Sequence, residues 1–397
     1  MRILVIPSWY PPLGGGFFQE YCEFFAKNGI EVTVLTLDII PIKKINFRRL
    51  LNRDKISILN ENGVTVVRSD YYKIPKFEKL NALLWAKSTE RLAHFFIRKL
   101  YKPDLILAQS ALWAGLPAMN ISLKYNIPLI INEHRSRLIG NNPFSSKLLK
   151  KWHLPLLKQI YSNCDHIITV SKALNEGIKS YFSPTATIQI IGNFIDHEFF
   201  NISPDNELNS EFSFITIAAL EYYKGIDILL YAFSQFIKRH SNSTLKIVGD
   251  GVLKNELQKL CVTLNIQHNV MFLGQLAKKE IVNNLNNTNV FILPSRFEAF
   301  GIVIIEALAC GVPVICTKSG GPEDIVNDDK LGFLIDCNNP ESLDSVMEKL
   351  YINYAFIDKS YLRQNVISRF GVNIIMTEYL KTFEKIVSFK NISHVKN

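Results

Sequence analysis

Short, wholly apolar runs alternate along this chain with segments of helical periodicity, and this alternation recurs in both halves. In the first half we predict strands at Arg2–Pro7, Glu31–Leu37, Val64–Arg68, Leu105–Gln109, Leu129–Asn132, His166–Val170 and Thr187–Ile191. Helices are predicted between them at Phe17–Asn28, Leu80–Leu100 and Leu116–Tyr125. Apolar strands separated by helices are typical of a parallel sheet that is covered on both faces.

The second half repeats this plan. Strands are predicted at Phe214–Ala218, Thr244–Val248, Val270–Leu273, Val290–Leu293 and Val314–Cys316. Helices are predicted at Ile226–Arg239, Leu253–Leu264, Lys278–Leu285, Ile302–Cys310 and Pro322–Val326. The 397 residues exceed the roughly 250–300 at which a single core stops growing. We therefore expect an α/β protein of two Rossmann-like domains, whose parallel sheets face each other across a cleft.

We expect the domains to comprise residues 1–200 and 201–372, with a C-terminal helix at about 373–397 that crosses back to the first. A polar linker is predicted at Asn193–Glu211. The first apolar run, Ile3–Ile6, is too short for a signal peptide, and no apolar stretch reaches the ~20 residues of a membrane span. The expected location is therefore the cytoplasm, either free or peripheral on the inner face of the cell membrane. The six cysteines form no Cys-x-x-Cys pair, so neither a zinc site nor a disulfide framework is predicted.

Charge is distributed unevenly between the halves. Residues 1–200 carry a net charge of +11 and residues 201–397 a net charge of −2. Two segments, Ile42–Ile56 and Ser145–Tyr161, mix Lys and Arg with Leu, Phe or Trp. If these segments are helical, each either lies on an anionic membrane surface or presents a solvated basic face. A nucleic-acid partner is not expected, because no zinc-finger, RNP or helix-turn-helix pattern is present.

The segment PSRFEAFGIVIIEALACGVPVI, from Pro294 on, carries the most specific chemistry. A strand ends at Pro294, and a loop with Glu298 and Gly301 then leads into an apolar helix that contains Glu306. A helix that starts after a glycine offers unpaired N–H groups and the positive end of the helix dipole, which suits a diphosphate. A carboxylate such as Glu306 can accept two hydrogen bonds from a sugar diol, or it can be a solvated surface residue.

Glu298 and Glu306 are separated by seven residues, and this spacing resembles the Glu-x7-Glu signature of retaining family 4 glycosyltransferases with the GT-B fold. Other segments are similar to that family in the same order, namely YKGIDILL from Tyr223, IVGDG from Ile247 and VMFLG from Val270. The resemblance covers nearly the whole chain and is strongest over residues 214–335.

The resemblance implies a role for each matching residue. Glu306 would bind the ribose of the nucleotide, Glu298 the transferred hexose, and Lys224 the diphosphate that leaves. Backbone amides of the donor site would come from Phe300, Gly301, Ile302 and Val303, with Gly249 as a further donor-binding position. The family usually has an arginine five residues before the lysine, whereas this chain has Ala219 there. Arg296 is a candidate substitute for that missing cation.

In the first half, Gly15 and Gly16 stand in a glycine run between the first strand and a helix, where amides can approach an anion or sugar. The resemblance places them against the donor phosphate and the acceptor. His134 ends a strand and matches the family histidine that contacts the transferred sugar, although a core or surface histidine would look the same. The neighbouring Glu133 either orients that ring or is solvated. Gln109 stands where the family often has a second histidine.

These matches imply an enzyme that transfers a hexose from a nucleotide-diphosphate sugar, with retention of configuration, to a saccharide or lipid-linked saccharide. We expect no metal and no cofactor, since no Asp-x-Asp motif is apparent. Two alternatives stay open, a nucleotide-sugar-binding subunit with weakened catalysis and a sugar-nucleotide epimerase on the same fold. A dehydrogenase is not expected, because no Gly-x-Gly-x-x-Gly turn follows the first strand.

Overall fold

The computed structural model describes residues 1–12, 14–41, 56–139, 149–203 and 211–395. The chain divides into two compact units. The first comprises Met1–Thr169, Asn175–Ile191 and Met376–Asn397, and the second comprises Val170–Leu174 and Gly192–Ile375. Most of the basic segment 42–56, the beginning of the segment 145–161 and residues 204–210 of the predicted linker lie outside the described residues.

The first unit is built on an eight-stranded sheet with the order β3-β4-β2-β1-β5-β6-β7-β8. Its strands β1 to β8 are Arg2–Pro7, Glu31–Pro41, Ser57–Glu61, Val64–Lys73, Leu105–Gln109, Leu129–Glu133, His166–Thr169 and Thr187–Ile190. All neighbouring strands are parallel except β3, which pairs antiparallel with β4. Helices α1 to α5 are Gly16–Lys27, Glu78–Lys99, Leu116–Tyr125, His153–Ser162 and Lys172–Phe182.

The second unit contains a fully parallel six-stranded sheet with the order β11-β10-β9-β12-β13-β14. Strands β9 to β14 are Phe212–Ile217, Ser243–Val248, Val270–Gly274, Val290–Leu293, Val314–Thr317 and Gly332–Ile335. Helices α6 to α13 are Ile226–Phe236, Lys254–Thr263, Lys278–Asn286, Ile302–Ala309, Pro322–Ile325, Pro340–Asn353, Lys359–Phe370 and Val372–Val395. The last helix continues into the first unit from Met376 onwards.

The predicted fold class of two Rossmann-like units with parallel sheets is confirmed. All twelve predicted strands are present, but the sequence reading missed β3 and β14. Strand β3 is an edge strand whose three central residues are exposed, so it lacks the long apolar run that marked the buried strands. Its hairpin turn carries a usable signal, because Asn62 and Gly63 both have positive φ, as an Asn-Gly turn requires.

Each sheet has a point at which the strand order reverses. In the first unit β1 has β2 on one side and β5 on the other, and in the second unit β9 has β10 on one side and β12 on the other. In open parallel sheets, ligands bind at the carboxyl ends of the strands beside such a reversal. The loops that follow β1 and β5, and those that follow β9 and β12, are therefore the places where functional residues are expected.

Phe233 anchors the core of the second unit from helix α6. Its side chain is completely buried, and its ring packs against the rings of Phe214 and Phe236. This packing fixes α6 on the sheet and with it the loop that follows β9. Tyr231, two residues earlier on the same helix, is 44% exposed.

We expect Phe233→Ala to lower the free energy of unfolding by about 3–5 kcal/mol, because it removes a buried ring and leaves a cavity. The matched surface variant Tyr231→Ala should change it by less than about 0.5 kcal/mol. Urea denaturation of the full chain, followed by circular dichroism, measures both. Equal losses for the two variants would show that Phe233 does not anchor this core.

Candidate functional site

Lys224 lies in the loop that follows β9, at the strand-order reversal of the second unit. It ends a 3₁₀ turn, Tyr222–Lys224, and is followed by Gly225 with φ 65°. A Cβ atom at Gly225 would lie 2.1 Å from the carbonyl oxygen of Pro294, at the end of β12. Only glycine therefore allows the turn to lie directly against the neighbouring loop, and this contact fixes the backbone that carries Lys224.

Glu298 lies in that neighbouring loop, between β12 and α9. Its backbone N–H donates to the carbonyl of Ser319 at 3.0 Å, and its carbonyl accepts from the N–H of Gly321 at 2.8 Å. A Cβ at Gly321 would lie 2.3 Å from the Cα atom of Phe300, so the two chain segments are in close backbone contact. The loop that carries Glu298 is thus held like an additional strand beside residues 319–321.

The two loops place Lys224 and Glu298 in direct contact. The Lys224 ammonium donates to Glu298 Oε2 at 2.6 Å, with side chains that are only 16% and 13% exposed. The Ser295 hydroxyl donates to the same carboxylate oxygen at 3.4 Å. Burial lowers the pKa of Lys224, but attraction and hydrogen bonding to Glu298 outweigh that effect and the pKa lies above its ordinary value. The predicted pair of functional residues therefore forms one charged, half-enclosed cluster.

Helix α9 begins immediately after this cluster. Gly301 precedes its first residue with φ 93°, and no side chain caps this end. Ile302 and Val303 form the first turn, and Glu306 lies in the second turn with a partly buried side chain. Phe300 is buried against Phe370, with ring centroids 5.4 Å apart, so only its backbone is suited to a ligand. The start of α9 therefore has the geometry of an anion site.

Gly249 follows β10, beside the β9 loop. Its φ is 130°, and a Cβ atom there would lie 2.0 Å from the carbonyl oxygen of Ala218. Its N–H donates to the carbonyl of Gly274 at 2.7 Å. Gly249 is thus required for the close approach of two loop backbones, and its predicted contact with the donor stays a prediction.

The suggestion that Arg296 replaces the missing cation at Ala219 is wrong. Its guanidinium makes two hydrogen bonds to Asp227, at 2.9 and 2.7 Å, and a third to Asn338 at 2.7 Å. It also donates to the carbonyl of Tyr222 at 2.6 Å, and the residue is 7% exposed. The group is occupied by protein partners. The sequence did not indicate this, because Asp227 lies 69 residues away along the chain.

In the first unit, Gly15 and Gly16 open helix α1 after the β1 loop. Gly15 has φ 81°, and a Cβ atom there would lie 2.4 Å from the carbonyl oxygen of Trp9. A Cβ at Gly16 would meet no atom within 4 Å, so its surroundings are open. Gly15 is needed for a tight turn, whereas Gly16 leaves space beside the first turn of α1.

His134 follows β6 and packs against the same helix. Its ring centroid lies 5.3 Å from that of Phe17 and 5.5 Å from that of Phe18, in edge-on contacts. Glu133 is 1% exposed and accepts from the N–H of His134 at 3.1 Å and of Ala111 at 2.9 Å. The alternative of a solvated Glu133 is therefore wrong. This carboxylate fixes the backbone at the end of β6, and α1 fixes the ring of His134.

Gln109, at the end of β5, is completely buried. Its side-chain oxygen accepts from Asn132 at 3.2 Å, and Asn132 also donates to the hydroxyl of Tyr379 at 2.9 Å. These two hydrogen bonds link Gln109 on β5 through Asn132 on β6 to Tyr379 on the C-terminal helix α13. A buried amide in this position belongs to the interior of the unit, where the family often has a histidine.

The predicted residues thus form two groups. Lys224, Glu298, Gly301 and Glu306 lie at the strand-order reversal of the second unit, whereas Gly15, Gly16 and His134 lie together at the carboxyl edge of the first. Sequence reasoning missed the stacking of Arg135 on Trp9, whose ring centroid lies 3.8 Å from the guanidinium carbon. The available signal was Trp9, an aromatic residue two positions after the end of β1. That the site needs no metal stays a prediction.

The fold is that of GT-B glycosyltransferases. Sucrose-phosphate synthase from Thermosynechococcus elongatus superposes with a TM-score of 0.82 at 18% identity, covering 98% of this chain and 100% of that one. Anabaena HepE in complex with UDP-glucose gives a TM-score of 0.73 at 21% identity, covering 97% and 100%. At these identities the likeness establishes the architecture.

Sequence comparison establishes the family. Residues 17–199 match the model of Glycosyltransferase Family 4, and residues 199–368 match that of Glycosyl transferases group 1. An uncharacterized glycosyltransferase of Methanocaldococcus jannaschii is 30% identical over 354 residues, which is 89% of each chain. The chain therefore belongs to the group 1, family 4 glycosyltransferases, and the alternative of a sugar-nucleotide epimerase is wrong.

We expect Glu298→Gln to lower the pKa of Lys224, because burial continues to disfavour the ammonium after the carboxylate charge is removed. The raised pKa means that the pair stabilises the folded protein at neutral pH, and that this contribution is lost as the pH rises through the folded-state pKa. Reductively ¹³C-methylated lysines, titrated by NMR, report the change. The control is Asp336→Asn, which removes the carboxylate partner of the exposed Lys318 and should leave the titration of the Lys224 resonance as it is in the wild-type protein. An unchanged Lys224 titration in Glu298→Gln would contradict this electrostatic description.

Proposed function

We propose that this protein transfers a hexose from a nucleoside-diphosphate sugar to a saccharide or lipid-linked saccharide, with retention of configuration. The observation that supports it best is the contact of Lys224 with Glu298 beside the open start of α9. A cation, a carboxylate and a helix N-terminus then meet where the strand order reverses. These are the groups that a diphosphate and an attached sugar need.

The chemistry follows from the charges. When the bond between the sugar C1 and the phosphate oxygen breaks, negative charge grows on the departing diphosphate. Lys224 and the backbone N–H groups of Ile302 and Val303 stabilise that charge. Glu298 binds hydroxyls of the hexose, and Glu306 binds the ribose diol. UDP-glucose in the Anabaena neighbour supports a nucleoside-diphosphate hexose as the class of donor.

Retention needs the acceptor hydroxyl to form its bond to C1 on the face that the leaving group departs from. The departing phosphate takes the hydroxyl proton, so the atoms balance without a protein nucleophile. The enzyme contributes position and electrostatic stabilisation. We assign the acceptor to the first unit, where His134 contacts the transferred sugar and Gly16 leaves room beside α1. The reaction is proposed to need no metal and no cofactor.

A second candidate is a nucleotide-sugar-binding subunit with weakened catalysis. Ala219 favours it, because the usual arginine is missing and Arg296 is bound to Asp227. Leaving-group stabilisation then depends on Lys224 and the amides of α9. Product formation with a panel of donors separates the two candidates, since a binding subunit would bind donor without releasing free nucleoside diphosphate.

We expect Lys224→Ala and Glu298→Ala each to lower kcat/KM by at least about 10²-fold, the usual cost of removing a group that stabilises transition-state charge. Turnover is measured as nucleoside diphosphate released from UDP-, GDP- and ADP-hexoses, with and without EDTA. The matched control Lys318→Ala removes another lysine of the second unit. Near-normal turnover in both site variants would defeat the assignment, and loss of turnover with EDTA would defeat the metal-free mechanism.

An exposed surface of the first unit supports a lipid-linked acceptor. Apolar side chains project from the start of α2, where Phe77 is 60% and Leu83 48% exposed, with Leu80 and Leu84 also exposed. Glu78 forms an ion pair with Lys150, just before α4, so the starts of the two helices adjoin. Exposed lysines lie on the same two elements, Lys79 and Lys87 on α2, Lys151 just before α4 and Lys158 on α4. Exposed apolar side chains on elements that also carry exposed lysines fit an anionic bilayer surface.

Among the described residues, no helix has the length and apolar character needed to cross a bilayer. We propose that the first unit rests on anionic lipid through this α2–α4 surface. The double variant Leu80→Ser, Leu83→Ser should then reduce co-sedimentation with phosphatidylglycerol vesicles about tenfold or more, because two leucines no longer bury apolar surface in the interface. A matched pair, Ile352→Ser and Phe356→Ser, removes exposed apolar residues of the second unit and should have no effect. Failure of the wild-type protein to bind these vesicles at moderate salt would contradict the proposal.

A further inference from the structure

Arg296 holds the turn that ends at Lys224. Its N–H donates to the carbonyl of Tyr223 at 2.8 Å, and its guanidinium donates to the carbonyl of Tyr222 at 2.6 Å. The guanidinium carbon also lies 4.0 Å from the centroid of the Tyr222 ring. The two residues that precede Lys224 are thus fixed by backbone and side chain of one arginine.

The arginine is itself rigidly fixed. Asp227, in the first turn of α6, accepts two parallel hydrogen bonds from its guanidinium, and the side-chain oxygen of Asn338 accepts a third from its Nε. Such a paired guanidinium is planar and defined in orientation, which a lysine ammonium is not. Arg296 therefore connects the loop after β12, the turn before α6 and the loop after β14.

The same loop carries both Arg296 and Glu298. Its first residue, Pro294, contacts Gly225 on the far side of Lys224. Lys224 is consequently held from both directions along the chain, at Tyr222–Tyr223 and at Gly225. Its ammonium end is then directed to the Glu298 carboxylate at 2.6 Å.

We propose that Arg296 is a positioning residue, which fixes the Lys224 ammonium at the diphosphate subsite without touching the diphosphate. This inference rests on the proposed function. Without Arg296 the turn that carries Lys224 would be mobile, and ordering it on binding would cost conformational entropy. Affinity for a β-phosphate therefore falls when Arg296 is removed. Affinity for a ligand that lacks the β-phosphate does not fall.

The test is a double-mutant cycle on the full-length protein, read by calorimetric titration with UDP and UMP, or with the GDP and GMP pair if that base binds better. Arg296→Met should weaken diphosphate binding about tenfold and leave monophosphate binding unchanged. In a Lys224→Met background, Arg296→Met should have no further effect, because Arg296 acts through Lys224. Arg239→Met is the matched control, since Arg239 is also paired with carboxylates of the second unit, Asp344 and Glu348, but lies on its surface.

Asp227→Asn is the milder second variant if Arg296→Met does not fold, and it should weaken diphosphate binding in the same direction. Wild-type diphosphate affinity in folded Arg296→Met, or in folded Asp227→Asn, would overturn the inference. Fully additive effects of Arg296→Met and Lys224→Met would overturn it too. If the wild-type protein binds no nucleoside diphosphate, the proposed function and this inference both fail. If diphosphate affinity fell in Lys224→Met but not in Arg296→Met, the inference would be overturned and the proposed function would stand.

Discussion

The ion pair between Lys224 and Glu298 joins the two loops on which the candidate site depends. It lies where the strand order of the second sheet reverses, so the loops after β9 and β12 meet there for topological reasons. Two charges that are less than one-fifth exposed are costly to hold apart from water unless they are paired. Each charge therefore offsets the desolvation cost of the other, and both lie beside the uncapped start of α9.

Glycines allow this arrangement to be compact. Gly225 and Gly321 each bring two backbones closer than a Cβ atom would permit. The arginine at 296 then ties the Lys224 turn to the loop that bears Glu298. The position of a single ammonium thus depends on three segments that are distant in sequence, namely its own turn at 222–225, the loop at 294–298 and residues 319–321.

Much of the fold could be predicted from the sequence, because buried parallel strands are apolar throughout and are easily recognised. Strand β3 was missed because an edge strand has no such run. The Glu-x7-Glu spacing identified Glu298 and Glu306 through resemblance to a family, whereas the contact of Glu298 with Lys224 came from the topology. The role of Arg296 was predicted wrongly. Its charge was visible in the sequence, but the carboxylate that binds it lies on another helix, and no local pattern identifies such a partner.

A crystal structure of the full-length protein with a bound nucleoside diphosphate tests the central claim most directly. The account predicts that a β-phosphate oxygen lies within about 3.2 Å of Lys224 Nζ and of a backbone N–H in the first turn of α9. The ribose hydroxyls should lie at Glu306. A nucleotide bound elsewhere, with the Lys224–Glu298 cluster free of phosphate, would contradict it.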